Sequence, residues 1–365
     1  MIDYKYKYLK YKKKYQKAGA YGNSFRYTSV PRYISQLQNI TEVRPQQHFK
    51  KYNTTINICG GCSFKQYKFG NRLITLIGEN HDSDFIQNKT QLKKNKSNDI
   101  SVADYVLKVL DCNQKAKVVL ENDVYTPFIL KINRGSNALT QIPLFLNGKD
   151  MCNRSTNIDW RCYFIRSNFI QKIYHSVLKN DDDTYIHPEE LKLYTLPNNL
   201  KNFIDEQIKN PVPSSCSVLQ RGCDSDKITE GILSDTSIEL LNELEEEIQF
   251  CDSRIQELIE EYTILYEKDE LTDKFIQDMQ TLMIECLNYI LDYFCLRELL
   301  LDNEHDEIIA VTGDDHTSII SAFLKTHKDI EELISIEIER SSHKDSTQCI
   351  SLNNTYYLIN SGYNQ

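Results

Sequence analysis

The sequence predicts an α/β protein: a mostly parallel central sheet flanked by helices, with a long antiparallel α-helical hairpin inserted before the last strands. Three observations carry that reading. Apolar, β-branched runs at residues 72–77, 117–120 and 307–312 each stop at a glycine or an acid. A helix-period pattern at residues 99–110 separates the first two runs, and strand, helix, strand at that spacing is a βαβ unit with parallel strands. The most regular periodicity of the chain, alternating steps of three and four, fills residues 241–300.

Taken in chain order, the first element is a basic aromatic segment. Tyr4, Tyr8, Tyr11 and Tyr15 would align as one stripe on a helix, with lysines on the other faces. Residues 1–53 hold 12 Lys and Arg against 2 acids, net +10. The rest of the chain holds 31 bases and 50 acids, net −19. A cationic arm on an acidic body is a handle for a polyanion or an acidic partner, here nucleic acid or an acidic protein through residues 1–20, or else for the chain's own body. Residues 21–66 read as polar and irregular, so residues 1–66 are taken as arm and irregular segment, and 67–365 as the α/β domain.

Within that domain, Ile100, Val102, Val106, Val109 and Leu110 form the apolar face of the first helix. Residues 180–230 are polar and punctuated by Asp and Pro. Leu241, Leu244, Ile248, Cys251, Ile255, Leu258, Tyr262 and Leu265 make one heptad-like run, with Thr236 and Glu239 spaced as a capping box ahead of it. Phe275, Met279, Leu282, Cys286, Tyr289, Tyr293, Leu296 and Leu300 make a second. Two such runs joined by a short polar link form a hairpin of helices, each about 40 Å long. It either packs on the sheet or makes a homodimer interface. The helical insertion spans about 165–301. A helix at 317–324 and strands near 332–339 and 355–360 complete the chain.

Composition excludes several classes. Hydrophobic residues are 40% and charged residues 26%, enough for a buried core. Twelve Gly and eight Pro do not make a fibrous chain. No run approaches the roughly 20 apolar residues of a membrane span, and no apolar signal segment opens the sequence. The expected location is therefore a cytoplasm or a virion, not a secretory route. Eleven cysteines without a signal are expected to be reduced. Cys59-Gly60-Gly61-Cys62 has redox or half-zinc spacing but reads as a Gly-Gly turn before a strand.

The chemistry gathers at the carboxyl ends of the strands, where open α/β sheets bind ligands. The first strand delivers Gly78-Glu79-Asn80-His81, the second Glu121, and the late strand Gly313-Asp314-Asp315-His316. Two histidines and a carboxylate converging there can bind a divalent metal (Zn, Mn or Co) through His81, Glu121 and His316, leaving a position for water. Without metal, a carboxylate-steered histidine can act on water as general base. Either suits hydrolysis. Arg161, in Asp159-Trp160-Arg161 beside the only tryptophan, would meet developing negative charge or clamp an anionic group, or else form a structural pair with Asp159 beside a buried indole.

The G-E-x-H after the first strand, the Glu ending the second, and the late G-x-x-H together resemble the TIKI/TraB and erythromycin-esterase-like hydrolases, a group that includes ChaN-like haem-binding proteins. The resemblance covers about residues 70–130 and 305–330. It implies that Glu79, His81, Glu121 and His316 are catalytic or metal-liganding, with Arg161 a weaker carry-over, and that an ester or peptide bond is the substrate. It also allows a haem carrier. The Lys/Tyr-rich opening resembles proteins of giant DNA viruses. Against the hydrolase stands a reading from a different class: a non-catalytic virion or scaffold protein that keeps the fold and uses the basic arm for binding.

Overall fold

The computed structural model describes residues 49–52, 56–79, 99–123, 138–139, 142–143, 146, 154–161, 191, 235–338, 349–352 and 356–359. The basic arm and the first G-x-x-H turn beyond Glu79 lie outside these residues. Strands β1 (Phe49–Tyr52), β2 (Ile56–Cys59), β3 (Gly61–Phe69), β4 (Arg72–Glu79) and β5 (Asp99–Ser101) precede helix α1 (Val102–Cys112). Then come β6 (Ala116–Asp123), β7 (Ser155–Asp159), α2 (Asp235–Glu267), α3 (Asp273–Leu301), β8 (Glu307–Gly313), α4 (Asp314–Thr326) and β9 (Ile330–Glu337). β10 (Cys349–Leu352) and β11 (Tyr356–Ile359) close the order.

The broad α/β class stands. The main sheet has six strands in the order β7-β6-β8-β4-β3-β9. β7, β6, β8 and β4 are mutually parallel, whereas β3 pairs antiparallel with both β4 and β9, so the sheet is mixed. The reason is local. Gly70 lies at φ +58° between β3 and β4, which is left-handed backbone that glycine adopts without a steric cost. The chain therefore turns straight back, and the stretch read as irregular up to residue 66 includes β1, β2 and most of β3. Two smaller sheets, β10-β2-β5 and β1-β11, are also present.

Alternation along the buried strands divides the core. Ile74, Leu76, Val119, Ile308 and Ala310 face one way, onto α2, α3 and α4. Ile77, Val118, Leu120, Ile309 and Val311 face the other way, onto α1 and the β10-β2-β5 sheet. Ser101 caps α1 by accepting from the Asp104 amide at 3.0 Å, and Asp104 answers back to the Ser101 amide at 3.3 Å. Thr272 caps α3 through the Phe275 amide. α2 and α3 pack together. Tyr262 meets Phe275 near the link, and the Cys286 thiol reaches the Ile248 carbonyl farther from it. From Leu287 onward α3 is buried almost all round rather than on one stripe, because it lies between α2 and the sheet.

The Cys-Gly-Gly-Cys segment is a turn before a strand, with Gly60 at φ 95°. The expectation of reduced thiols fails at Cys59. It forms a disulfide with Cys349, directly opposite in the antiparallel β2–β10 register and 4.1 Å away between Cα atoms. Strand pairing, not C-x-x-C spacing, chose the partner. Among the described residues no helix is long and apolar enough to cross a membrane.

Candidate functional site

Register brings the strand ends level. Glu79 of β4 lies beside Gly313 of β8, and Leu120 of β6 lies beside Val311. Glu121 is therefore the first residue of β6 past that β8 pairing, two positions after the helix-facing Val119. Its carboxylate points the same way. Glu121 Oε2 accepts the Gly313 amide at 2.6 Å, a short, charge-assisted bond that extends the β6–β8 ladder through a side chain. Gly313 is also the N-cap of α4 and has no side chain of its own to cap with, so Glu121 places negative charge at the positive end of that helix.

Glu121 Oε1 accepts from Arg161 Nη2 at 3.1 Å. The guanidinium forks onto Asp159, with Nε at 2.7 Å from Oδ1 and Nη2 at 2.8 Å from Oδ2. Nη1 donates to the Asn288 Oδ1 of α3 at 3.3 Å. Trp160 is buried against Phe294 of α3, which anchors the turn that carries both Asp159 and Arg161. Arg161 thus supplies its positive charge to Asp159 and Glu121, rather than standing as an open clamp for an anion.

His316, in the first turn of α4, completes the cluster. Its Nε2 is 3.7 Å from Glu121 Oε1, beyond hydrogen-bond length. Its Nδ1 is 2.8 Å from Asp292 Oδ1 of α3. Burial works against a charged imidazole here. The charge and hydrogen bond of Asp292, with Glu121 adding, outweigh that burial, and the pKa of His316 rises above its ordinary value despite Arg161. Complete burial likewise pushes the Asp292 carboxyl up, with His316 pulling it back. Asp292 therefore stabilises the ring when it takes up a proton, which suits His316 to proton transfer.

Glu121, Arg161 and His316 are brought together. Glu79 is placed differently. It continues the Ile77 alternation, and its Oε1 accepts the Ala138 amide at 3.1 Å, on the side of the sheet that packs on α1. The period of two in a strand sends residues 79 and 121 to opposite faces, which strand-end position alone did not reveal. His81 lies outside the described residues. Gly78 is needed for a close approach: a Cβ there would collide with Ser63 Oγ and with Asp314, which is itself held by Ser63 at 2.6 Å.

Asn288 and Asp292 went unforeseen, whereas the Asp159–Arg161 pair beside the buried Trp160 is the structural alternative that the sequence offered. Asn288 and Asp292 are four apart and share one face of α3. Two polar residues at helical spacing inside the otherwise apolar run 286–296 were the available signal.

A divalent cation would find acceptable donor types in Glu121 Oε1 and His316 Nε2. Among the described residues, however, no group of three His, Cys, Asp or Glu is arranged to hold a metal ion, and Arg161 competes for the same Glu121 oxygen. The described residues do not complete such a site.

No family model, characterised protein or solved structure matches the chain.

Proposed function

We propose that the chain is a hydrolase of ester or amide bonds, working at the carboxyl ends of β6 and β8 in a sheet whose parallel half is the functional one. The single observation that supports this is the convergence of Glu121, Arg161 and His316 from three distant segments onto one buried cluster. Such groups cost stability unless partnered, and an apolar packing of the same ends would be simpler. In this reading Glu121 orients the attacking water, and His316 Nε2 takes a proton from that water as it attacks and then passes it to the leaving group. Arg161 keeps Glu121 ionised and in place. The resemblance to TIKI/TraB and erythromycin-esterase-like enzymes points the same way, and His81 is the residue through which a metal variant of the reading would operate.

The test is turnover of p-nitrophenyl esters and of a fluorogenic peptide amide by the full chain. His316→Ala and Glu121→Gln should each lower turnover at least 10²-fold while far-UV circular dichroism is unchanged. A chelator that abolishes activity, with recovery on Zn, Mn or Co, would assign a metal; an unaffected rate would assign the metal-free route. Wild-type rates in either variant would refute the reading. The saturation of Arg161 and Glu121 by internal partners favours one rival, a scaffold protein in which the cluster only ties α3 and α4 to the sheet. Absence of any turnover, with stability lost in both variants, would establish that rival.

A further inference from the structure

Asp292 stands where the surrounding sequence would place an apolar residue. Its neighbours Ile290, Leu291, Tyr293, Phe294, Cys295 and Leu296 are all buried, and Asp292 itself has no exposed surface. An ionised carboxylate in such a turn costs several kcal/mol unless something compensates. Its Oδ2 has no hydrogen-bond partner among the described residues. Its Oδ1 has one, His316 Nδ1. The compensation for burying Asp292 is therefore the imidazole.

Which ring nitrogen is engaged decides what the contact does. A neutral imidazole carries one proton, and the nitrogen held by a carboxylate keeps it. Glu121 is too far from Nε2 to hold the ring from the other side. Among the described residues, Arg161 after β7 also acts on the ring, and Asp314 and Asp315 precede it in the first turn of its own helix.

We propose that Asp292 is a positioning residue: it accepts the Nδ1 proton of His316, fixes the Nδ1–H tautomer and so presents Nε2 to Glu121 and the reacting groups. The inference rests on His316 being the reacting histidine for its catalytic meaning, but the tautomer itself does not depend on any activity. It makes α3, the second helix of the insertion, part of the site rather than packing alone. A carboxylate behind a histidine acts through orientation, and losing it in hydrolases of that layout costs up to about 10⁴-fold in rate because the wrong tautomer forms.

The experiment is long-range ¹H–¹⁵N correlation on the uniformly labelled full chain at one fixed pH, with His316 assigned by the signal missing from His316→Gln. The wild type, at a pH high enough for the ring to be neutral, should show a proton on Nδ1 in a strong hydrogen bond and none on Nε2. Asp292→Leu should lose that signature, and ester turnover should fall about 10²–10⁴-fold in kcat with KM within a few-fold. An unprotonated Nδ1 in the wild type overturns the proposal, whatever the variant does, so a variant that does not fold leaves the wild-type spectrum to decide. An unchanged Nδ1 signal in folded Asp292→Leu overturns it as well. If the spectra behave as expected and neither substrate is turned over, the hydrolase reading fails and the positioning of His316 stands.

Discussion

Strand β6 meets helix α3 through two polar clusters at opposite ends. Lys117, Val119 and Glu121 share one face of β6, so Lys117 and Glu121 are about 13 Å apart at 3.3 Å per residue. At the amino end, Lys117 Nζ sits 2.8 Å from Glu298 and 3.0 Å from Asp302, and Asp302 also takes His305 Nδ1 at 2.9 Å. At the carboxyl end, Glu121, Arg161, Asp292 and His316 draw on four elements or their edges. Both clusters are buried. The difference lies in what can titrate. Burial alone would discharge Lys117, but Glu298 and Asp302 overcome it and push its pKa above the ordinary lysine value, so the amine stays charged at any working pH. His316 starts from a value near neutrality and has one nitrogen not within hydrogen-bond reach of Glu121. The same strand and helix carry a closed electrostatic rivet at one end and a proton-handling group at the other.

Breaking the rivet should give the largest change. Lys117→Met leaves Glu298 and Asp302 buried without their cation and is expected to cost about 3–5 kcal/mol. Urea unfolding would measure it. The turnover proposed for the carboxyl-end cluster should be preserved in the residual folded protein at low temperature, because that cluster is untouched. A loss below about 1 kcal/mol would mean that water reaches the lysine and the cluster is not closed.

The carboxyl end should respond more gently to a conservative change. Arg161→Lys keeps the charge but cannot fork onto Asp159 while reaching Glu121 and Asn288, so a cost of about 1–3 kcal/mol is expected, together with weaker hold on Glu121. Unaltered stability and unaltered turnover in this variant would show that charge alone suffices there and that the geometry around Arg161 is incidental.

The contrast also explains what was legible beforehand. The strands that carry β4, β6 and β8 announced themselves because they are buried on both faces and read as unbroken apolar runs. The strand-end positions of Glu121 and His316 followed from those runs, and Arg161 from its place beside Trp160. The facing of Glu79 did not follow, since a one-residue step flips a strand side chain and no pattern in 78–81 declares the phase. β3 was missed because Lys65, Gln66 and Lys68 make it look polar, although Lys65 and Gln66 are buried and bonded to Ser321 and Thr75. α3 showed its period but not that its polar residues at 288, 292 and 298, and its C-cap at 302, are contacts at a distance. Pairing with Cys349, 290 residues from Cys59, is likewise written in sheet register and not in local spacing.

The smallest expected effect is on pH dependence, and it separates the clusters by sign. Burial would raise the Asp302 carboxyl, but the hydrogen bonds and charge from His305 and Lys117 hold it well below the ordinary carboxylate value. Its contribution to stability is therefore full above the unfolded value, about pH 3.9, and fades as the pH falls through the folded one. His316 is shifted the other way, so its contribution is full below about pH 6.5 and fades as the pH rises through the raised folded value. Asp292, also raised, acts in the same sense from a lower start: its contribution is full below about pH 3.9 and fades as the pH rises through its raised folded value. Urea midpoints from pH 3 to pH 9 should show Asp302→Asn flattening the acid limb alone and His316→Gln flattening the alkaline limb alone. If His316→Gln flattens neither, the Asp292–His316 pair binds its proton no more tightly in the fold than in the unfolded chain, and the carboxyl end is as fixed in charge as the amino end.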